Sequence, residues 1–201
     1  MSDGAADGEG CLSSNRPSAC YGVAMSSAQR HRILPLLGLL LTSSSLPACE
    51  DAAAPNAVDS KIVGNPAPAF TLNAVNTKGS VSMSSLEGQV VIVDFWGTFC
   101  EPCKKSFPKL QDLYARYKAS GLTVVGISED DEKDGITAFG GSYGAKFPLV
   151  WDETKSVAGK WNPGSMPATF IVDRKGVVRF FHRGYHEGEE VEIEQQVKSL
   201  L

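Results

Sequence analysis

No stretch of about 20 consecutive apolar residues, the length a helix needs to cross a bilayer, occurs in this 201-residue chain, so no transmembrane span is predicted. Cysteine is scarce and unevenly placed: of five, Cys11, Cys20 and Cys49 precede the part that reads as foldable, and only Cys100 and Cys103 lie within it. That distribution excludes a disulfide framework. Histidine is rarer still, at three residues. Of these, His182 and His186 alone accompany the cysteine pair in the foldable part, and both read as surface residues. Zinc needs about two ligands beyond a cysteine pair, so no metal is expected, and no other cofactor. Charge of one sign is lacking too. The net charge of -4 is mild and Lys and Arg form no stripe, which excludes a nucleic-acid partner. No internal repeat is visible. What remains is an ordinary globular composition, 42% hydrophobic and 21% charged, sufficient for one core.

A leader stands ahead of that core. From Met25 the chain has a basic start, Arg30-His31-Arg32, a short apolar stretch from Ile33 to Leu41, and small or polar residues up to Ala48, the layout of a signal peptide. Residues 1–24 are rich in Gly, Ser and Ala and fit neither leader nor domain, so Met25 is the expected start of translation. Leu46-Pro47-Ala48-Cys49 resembles the bacterial lipobox, whose cysteine is lipidated and becomes the mature N-terminus. The resemblance implies lipidation at Cys49 and a periplasmic or otherwise extracytoplasmic protein held to a bacterial membrane by a lipid anchor. The alternative is plain secretion with a cut near Ala48. From Glu50 to Ser60 the sequence has no hydrophobic period and few bulky residues, as in a flexible spacer. The expected division is therefore leader and spacer over 1–60 and a folded domain over 61–201.

Within the domain, residues 69–73 and 81–85 flank the turn-forming Asn76-Thr77-Lys78-Gly79 and predict a hairpin. The run from Gln89 to Trp96 reads as a strand buried on both faces. Phe107, Leu110, Leu113, Tyr114 and Tyr117 recur at spacings of three and four, predicting an amphipathic helix from Glu101 to Ala119 that stops at Gly121. Leu122–Ser128 is a second buried strand, and so short a return implies parallel pairing. The acids Glu129 to Glu132 suit a helix N-terminus and are read as opening a helix through Tyr143. A strand over 147–150, a helix over 154–161, a hairpin pairing 168–172 with 177–181, and a terminal helix over 191–201 complete the expectation. The fold class is α/β: a mixed sheet flanked by helices, with an N-terminal β-hairpin and a central insertion.

Cys100-Glu101-Pro102-Cys103 falls where strand gives way to helix. Two thiols so placed can exchange between dithiol and disulfide while the backbone stays fixed. Cys100 lies where the free N–H groups of a helix's first turn stabilise a thiolate, the form that attacks a disulfide, so it is the expected exposed nucleophile. Pro102 loses no hydrogen bond in that turn, and Cys103 is close enough to resolve a mixed disulfide. Glu101 disfavours the thiolate and Lys104 and Lys105 favour it, with no clear sum. A static disulfide is the bland alternative. Asp94 sits inside Val-Ile-Val-Asp-Phe-Trp, where a carboxylate carries a large desolvation cost; the alternative is an Asp at a strand end that reaches solvent.

Trp96-Gly97-Thr98-Phe99-Cys100-Glu101-Pro102-Cys103-Lys104-Lys105, together with Met166-Pro167-Ala168-Thr169-Phe170, resembles the thioredoxin superfamily, in particular its exported TlpA/ResA-like thiol:disulfide oxidoreductases, over about residues 62–201. The resemblance implies a thioredoxin-like fold and a protein-disulfide reductase whose redox-active disulfide is Cys100–Cys103. It implies that Asp94 relays the proton of the second thiol. It makes Met166-Pro167 the family's cis-proline, with the backbone of Met166 pairing with the substrate chain and Trp96 and Phe99 forming an apolar rim, simple packing being the alternative for Trp96. The implied partners are disulfide-bearing exported proteins, apocytochrome c in cytochrome c maturation among them, and a membrane thiol-electron donor; the protein itself is expected to be a monomer. One departure stands out. The exported pattern has a Glu three places after the second cysteine, and this chain has Ser106, which leaves Asp94 to take over that role. Two rival readings share related folds. A peroxiredoxin-like thiol peroxidase expects a Pro and a Thr ahead of its cysteine, of which only Thr98 is present; a copper carrier would use two cysteines and a histidine.

Overall fold

The computed structural model describes residues 60–201. The leader, the lipobox-like segment with Cys49, and the spacer up to residue 59 lie outside the described residues, as do Cys11 and Cys20.

The domain opens with the antiparallel hairpin β1 (Thr71–Asn73) and β2 (Ser80–Ser82), which forms a small sheet of its own. The second strand is shorter than expected because Ser82 caps a 3-10 helix over Met83–Leu86. Its hydroxyl accepts from the N–H of Ser85 at 3.1 Å while the Ser85 hydroxyl accepts from the N–H of Ser82 at 3.2 Å, a reciprocal capping box that ends the strand.

β3 (Val90–Trp96) is buried along its whole length, as the β-branched run required. It leads into α1 (Glu101–Tyr117), which returns through a 3-10 turn at Lys118–Ser120 to β4 (Leu122–Ser128). β3 and β4 pair in parallel from Val90↔Leu122 to Trp96↔Ser128. The central insertion follows as α2 (Ile136–Ser142), β5 (Leu149–Trp151) and α3 (Ser156–Trp161). β6 (Ala168–Val172), β7 (Val178–Arg183) and α4 (Glu189–Leu200) close the chain. The main sheet has the order β5-β4-β3-β6-β7, with β6 antiparallel to both β3 and β7.

One expected element moves. The acids Glu129 to Glu132 do not open a helix: α2 starts at Ile136 behind Gly135, whose φ of 90° only glycine adopts freely. The reason lies at Asp130, which is buried and tied to the end of the sheet by Ser128 and Thr98 and so is unavailable to a helix cap.

Side chains alternate across the central strand, giving two cores. Val90, Ile92 and Trp96 face α1, α2 and α4, packing with Phe107, Leu113, Phe139 and Ile193. Val91, Val93 and Phe95 face the opposite way, onto Val81 of the hairpin and Val157 and Trp161 of α3. By its parity Asp94 belongs to the first face, beneath α1 and α4. Gly126 of β4 serves this packing, since a Cβ there would lie 2.9 Å from Leu149 Cδ2 and 3.0 Å from Trp96 Nε1.

Candidate active site

Cys100 is the N-cap of α1, and its sulfur accepts the backbone N–H of Cys103 at 3.2 Å. The two cysteines are joined in a disulfide with Cα atoms 5.3 Å apart. Cys100 was expected to be exposed, but in this oxidised state it keeps only 6% of its surface, and Cys103 keeps none. Of the two residues only Cys100 keeps any accessible surface, which places them in unequal positions for attack. Glu101 and Lys104 form an ion pair one helical turn apart. The charges that pulled the thiolate in opposite directions in the sequence therefore largely neutralise each other, leaving the helix terminus as the stronger local influence.

Phe99 is 67% exposed beside the disulfide and fits an apolar rim. Trp96 does not: it is fully buried, its ring 4.6 Å from Phe107 and 4.7 Å from Phe139, because even-numbered positions of β3 point under α1. It is a core residue. The Met166-Pro167 bond is cis, and the strand β6 begins immediately after it.

Asp94 is completely buried. Its Oδ1 accepts the hydroxyl of Thr169 at 2.7 Å, across the β3–β6 pairing that sets these residues side by side; Oδ2 has no hydrogen-bond partner among the described residues. Burial pushes its carboxyl from 3.8 to about 7, opposed by the Thr169 hydrogen bond and reinforced by the negative charge of Glu189. Thr169 escaped notice in the sequence, where it was only a position of a family motif; the register of β6 on β3 reveals it.

Two further groups were missed for the same reason. Asp130 accepts the backbone N–H of Thr98 at 3.0 Å, the Thr98 hydroxyl at 2.6 Å and the Ser128 hydroxyl at 2.7 Å, which fixes the loop entering Cys100 from a residue 30 positions away in sequence. Replacing Asp130 by Ala should destabilise the fold by roughly 3 kcal/mol, since buried partners of a charged acceptor are left unpaired; urea denaturation checks this, and an unchanged midpoint would release Asp130 from that role. The second is His182, expected at the surface and found 6% exposed. It sits in register with Thr169 on the neighbouring strand, its Nδ1 3.1 Å from Glu189 and its Nε2 2.7 Å from Gln196. Burial alone would lower its pKa, but the hydrogen bonds and charge of these α4 partners outweigh it and hold the ring above its ordinary value. His186 is exposed. Among the described residues no cluster of three or more His, Cys, Asp or Glu is placed to hold a metal ion.

With the disulfide at the head of α1 and the cis bond ahead of β6, the likeness to known proteins can be located on the chain. The AhpC/TSA family matches residues 63–181. The chain belongs to that family. It is 36% identical over 115 residues to the thiol-disulfide oxidoreductase ResA of Bacillus subtilis, covering 57% of this chain and 64% of that one. To the thiol-disulfide oxidoreductase ResA of Oceanobacillus iheyensis it is 35% identical over 131 residues, covering 63% and 68%. The match to the B. subtilis relative thus spans slightly under two thirds of that protein's length. Among solved structures it is similar to a protein of Chlorobium tepidum provisionally named thiol:disulfide interchange protein DsbE, with a TM-score of 0.64, 32% identity, and coverage of 67% of this chain and 94% of that one. The AhpC/TSA domain here is a thioredoxin-like α/β fold, with the mixed sheet, five-stranded, and the small antiparallel hairpin expected from the pattern of strands, helices and turns.

Proposed function

We propose that this protein is an extracytoplasmic thiol:disulfide oxidoreductase that reduces disulfides in exported proteins. The observation that carries the reading is the Cys100–Cys103 disulfide at the N-cap of α1, open to solvent only at Cys100. In the reduced protein the Cys100 thiolate attacks one sulfur of a substrate disulfide, forming a mixed disulfide and expelling the other substrate sulfur as a thiolate, which takes up a proton. Cys103 then loses its proton to Asp94 and attacks Cys100 Sγ, re-forming the bond seen here and releasing the second substrate thiol. Two electrons pass to the substrate, and a membrane thiol-electron donor must restore them, because the compartment supplies no reducing buffer. Phe99 offers apolar contact to the substrate chain, and the backbone of Met166, ahead of the cis bond, offers it a strand-like pairing.

The membrane setting rests on the leader and the lipobox-like Cys49; no described helix is long and apolar enough to cross a bilayer. Names of relatives such as the B. subtilis ResA support the redox chemistry. The resemblance of the motif admits apocytochrome c as one client among exported proteins and does not choose between them. The peroxidase alternative is disfavoured at two points: residues 96–99 contain no proline, and the Thr98 hydroxyl proton is committed to Asp130. Replacing Cys103 by Ser should trap mixed disulfides between Cys100 and exported proteins in the native envelope, recovered by non-reducing electrophoresis and mass spectrometry. Capture of nothing, with peroxide consumed as fast as disulfide by the unmodified protein, would overturn the reading in favour of the peroxidase.

A further inference from the structure

Asp94, Thr169 and His182 are consecutive partners across β3, β6 and β7, so they form a polar row on the sheet face that α1 and α4 cover. The row is continuous in hydrogen bonds at both ends: Thr169 donates to Asp94, and His182 is held by Glu189 and Gln196 of α4. Between α1 and α4 above it lies a cavity of about 10 Å³, lined among others by Ser106, Thr169 and Glu189. Ser106 also reaches back to the thiol centre, its hydroxyl donating to the carbonyl of Cys103 at 3.2 Å. The place where the exported pattern carries an acid on α1 is thus occupied here by a short hydroxyl, and the carboxylate that opens onto the same cavity comes from α4.

We infer that Glu189 is the second carboxylate of this thiol centre, a positioning residue that faces the cavity together with Thr169, the hydrogen-bond donor to Asp94, and is itself held by His182. The inference rests on the proposed oxidoreductase reading for its consequence, though not for its geometry. The charged and titratable groups bordering the row can be named. From α1 come Cys103 and Lys109, from β7 His182, from the β7–α4 loop Tyr185, and from α4 Glu189, Glu190 and Glu192, the last acting on His182. Lys109 and Glu190 are paired at 3.0 Å and largely cancel as seen from Asp94. Glu189 remains as the anion whose charge opposes ionisation of Asp94. The unpartnered Oδ2 of Asp94 leaves that carboxyl without a second donor to offset the effect. Glu189 thereby favours the protonated acid after Cys103 has given up its proton, and the contact with His182 Nδ1 at 3.1 Å fixes its place.

The test is Glu189→Gln, nearly equal in size and neutral, with Asp94 and His182 titrated by side-chain NMR in the oxidised protein, a measurement that needs no substrate. The expected result is a downward shift of both titrations, by about half a unit or more for Asp94, and recovery of the Asp94 titration when Ser106→Glu is added to return an acid to the cavity from α1. An Asp94 titration that stays put while His182 falls would overturn the inference, leaving Glu189 as a partner of His182 alone; an unmoved His182 would overturn it as well. Should the unmodified protein reduce no disulfide, the functional reading fails while the titrations still decide the coupling.

Discussion

Replacing Cys100 by serine should abolish disulfide reduction, lowering the rate by about 10³-fold or more, as expected when the attacking group of a covalent mechanism is removed. Cys103 cannot substitute for it. That residue has no exposed surface and lies in the core cluster with Trp96 and Phe107, so a substrate disulfide, which must approach in line with the attacking sulfur, does not reach it. Serine retains the capping geometry at the head of α1, since a side-chain oxygen can accept the N–H of Cys103 in place of sulfur. The loss is therefore chemical, and the variant, which cannot form the disulfide, should fold with a denaturation midpoint close to that of the reduced parent. Turnover of a small disulfide-bonded protein substrate, followed with a thiol-reactive dye, is the measurement. Residual activity within tenfold of the unmodified protein would show that the first attack does not come from Cys100.

Asp94→Asn should have opposite effects on activity and stability. Asp94 is an acid whose folded pKa is raised by burial from 3.8 to about 7, so between those values the folded protein holds a proton that the unfolded chain has released. The stability contributed by the neutral carboxyl is fully present below about pH 4 and is lost as pH rises toward 7, where ionisation must be forced on a buried group or the group must stay protonated at a cost. Asparagine is neutral throughout and can still accept the hydroxyl of Thr169. The variant should match the parent near pH 4 and exceed it at pH 8 by on the order of 3–4 kcal/mol. Urea midpoints at the two pH values check this, and equal midpoints at pH 8 would sink the assignment of a buried, proton-holding acid. Release of the mixed disulfide should in contrast slow by about 10²-fold, the usual scale of a lost general base. Glu129, pushed to about 7 by burial and the nearby Asp152, titrates in the same window, so the informative quantity is the difference between parent and variant.

The redox centre was legible in the sequence because its parts are close along the chain. Cysteines two residues apart at a strand-to-helix junction can meet only in a few ways, and the apolar run behind them read as a central strand, which favoured burial of Asp94 over an Asp at a strand end that reaches solvent. Register and side-chain direction were less accessible. For Trp96 rim and simple packing both stood open, and it is core, because whether position 96 points toward solvent or under α1 depends on where the helix lands. His182 was read as a surface residue and proved to be buried, since nothing near it in sequence announces that α4 will cover β7. The acids from Glu129 onward looked like a helix cap until Asp130 was seen holding Thr98, a contact across two strand ends.

The sequence by itself determined the placement of the cysteine pair at a strand-to-helix junction, the strand that carries the acid and the α/β order, because local spacing and hydrophobic period act over a few residues. Only the tertiary structure decided what surrounds that acid. Thr169, His182 and Glu189 lie 75 to 95 positions further along the chain from Asp94, and they meet it through the pairing of β3 with β6, of β6 with β7, and the packing of α4 over them. A carboxyl's ionisation depends on the charges and dipoles within a few ångströms, and those neighbours exist only once the sheet is assembled.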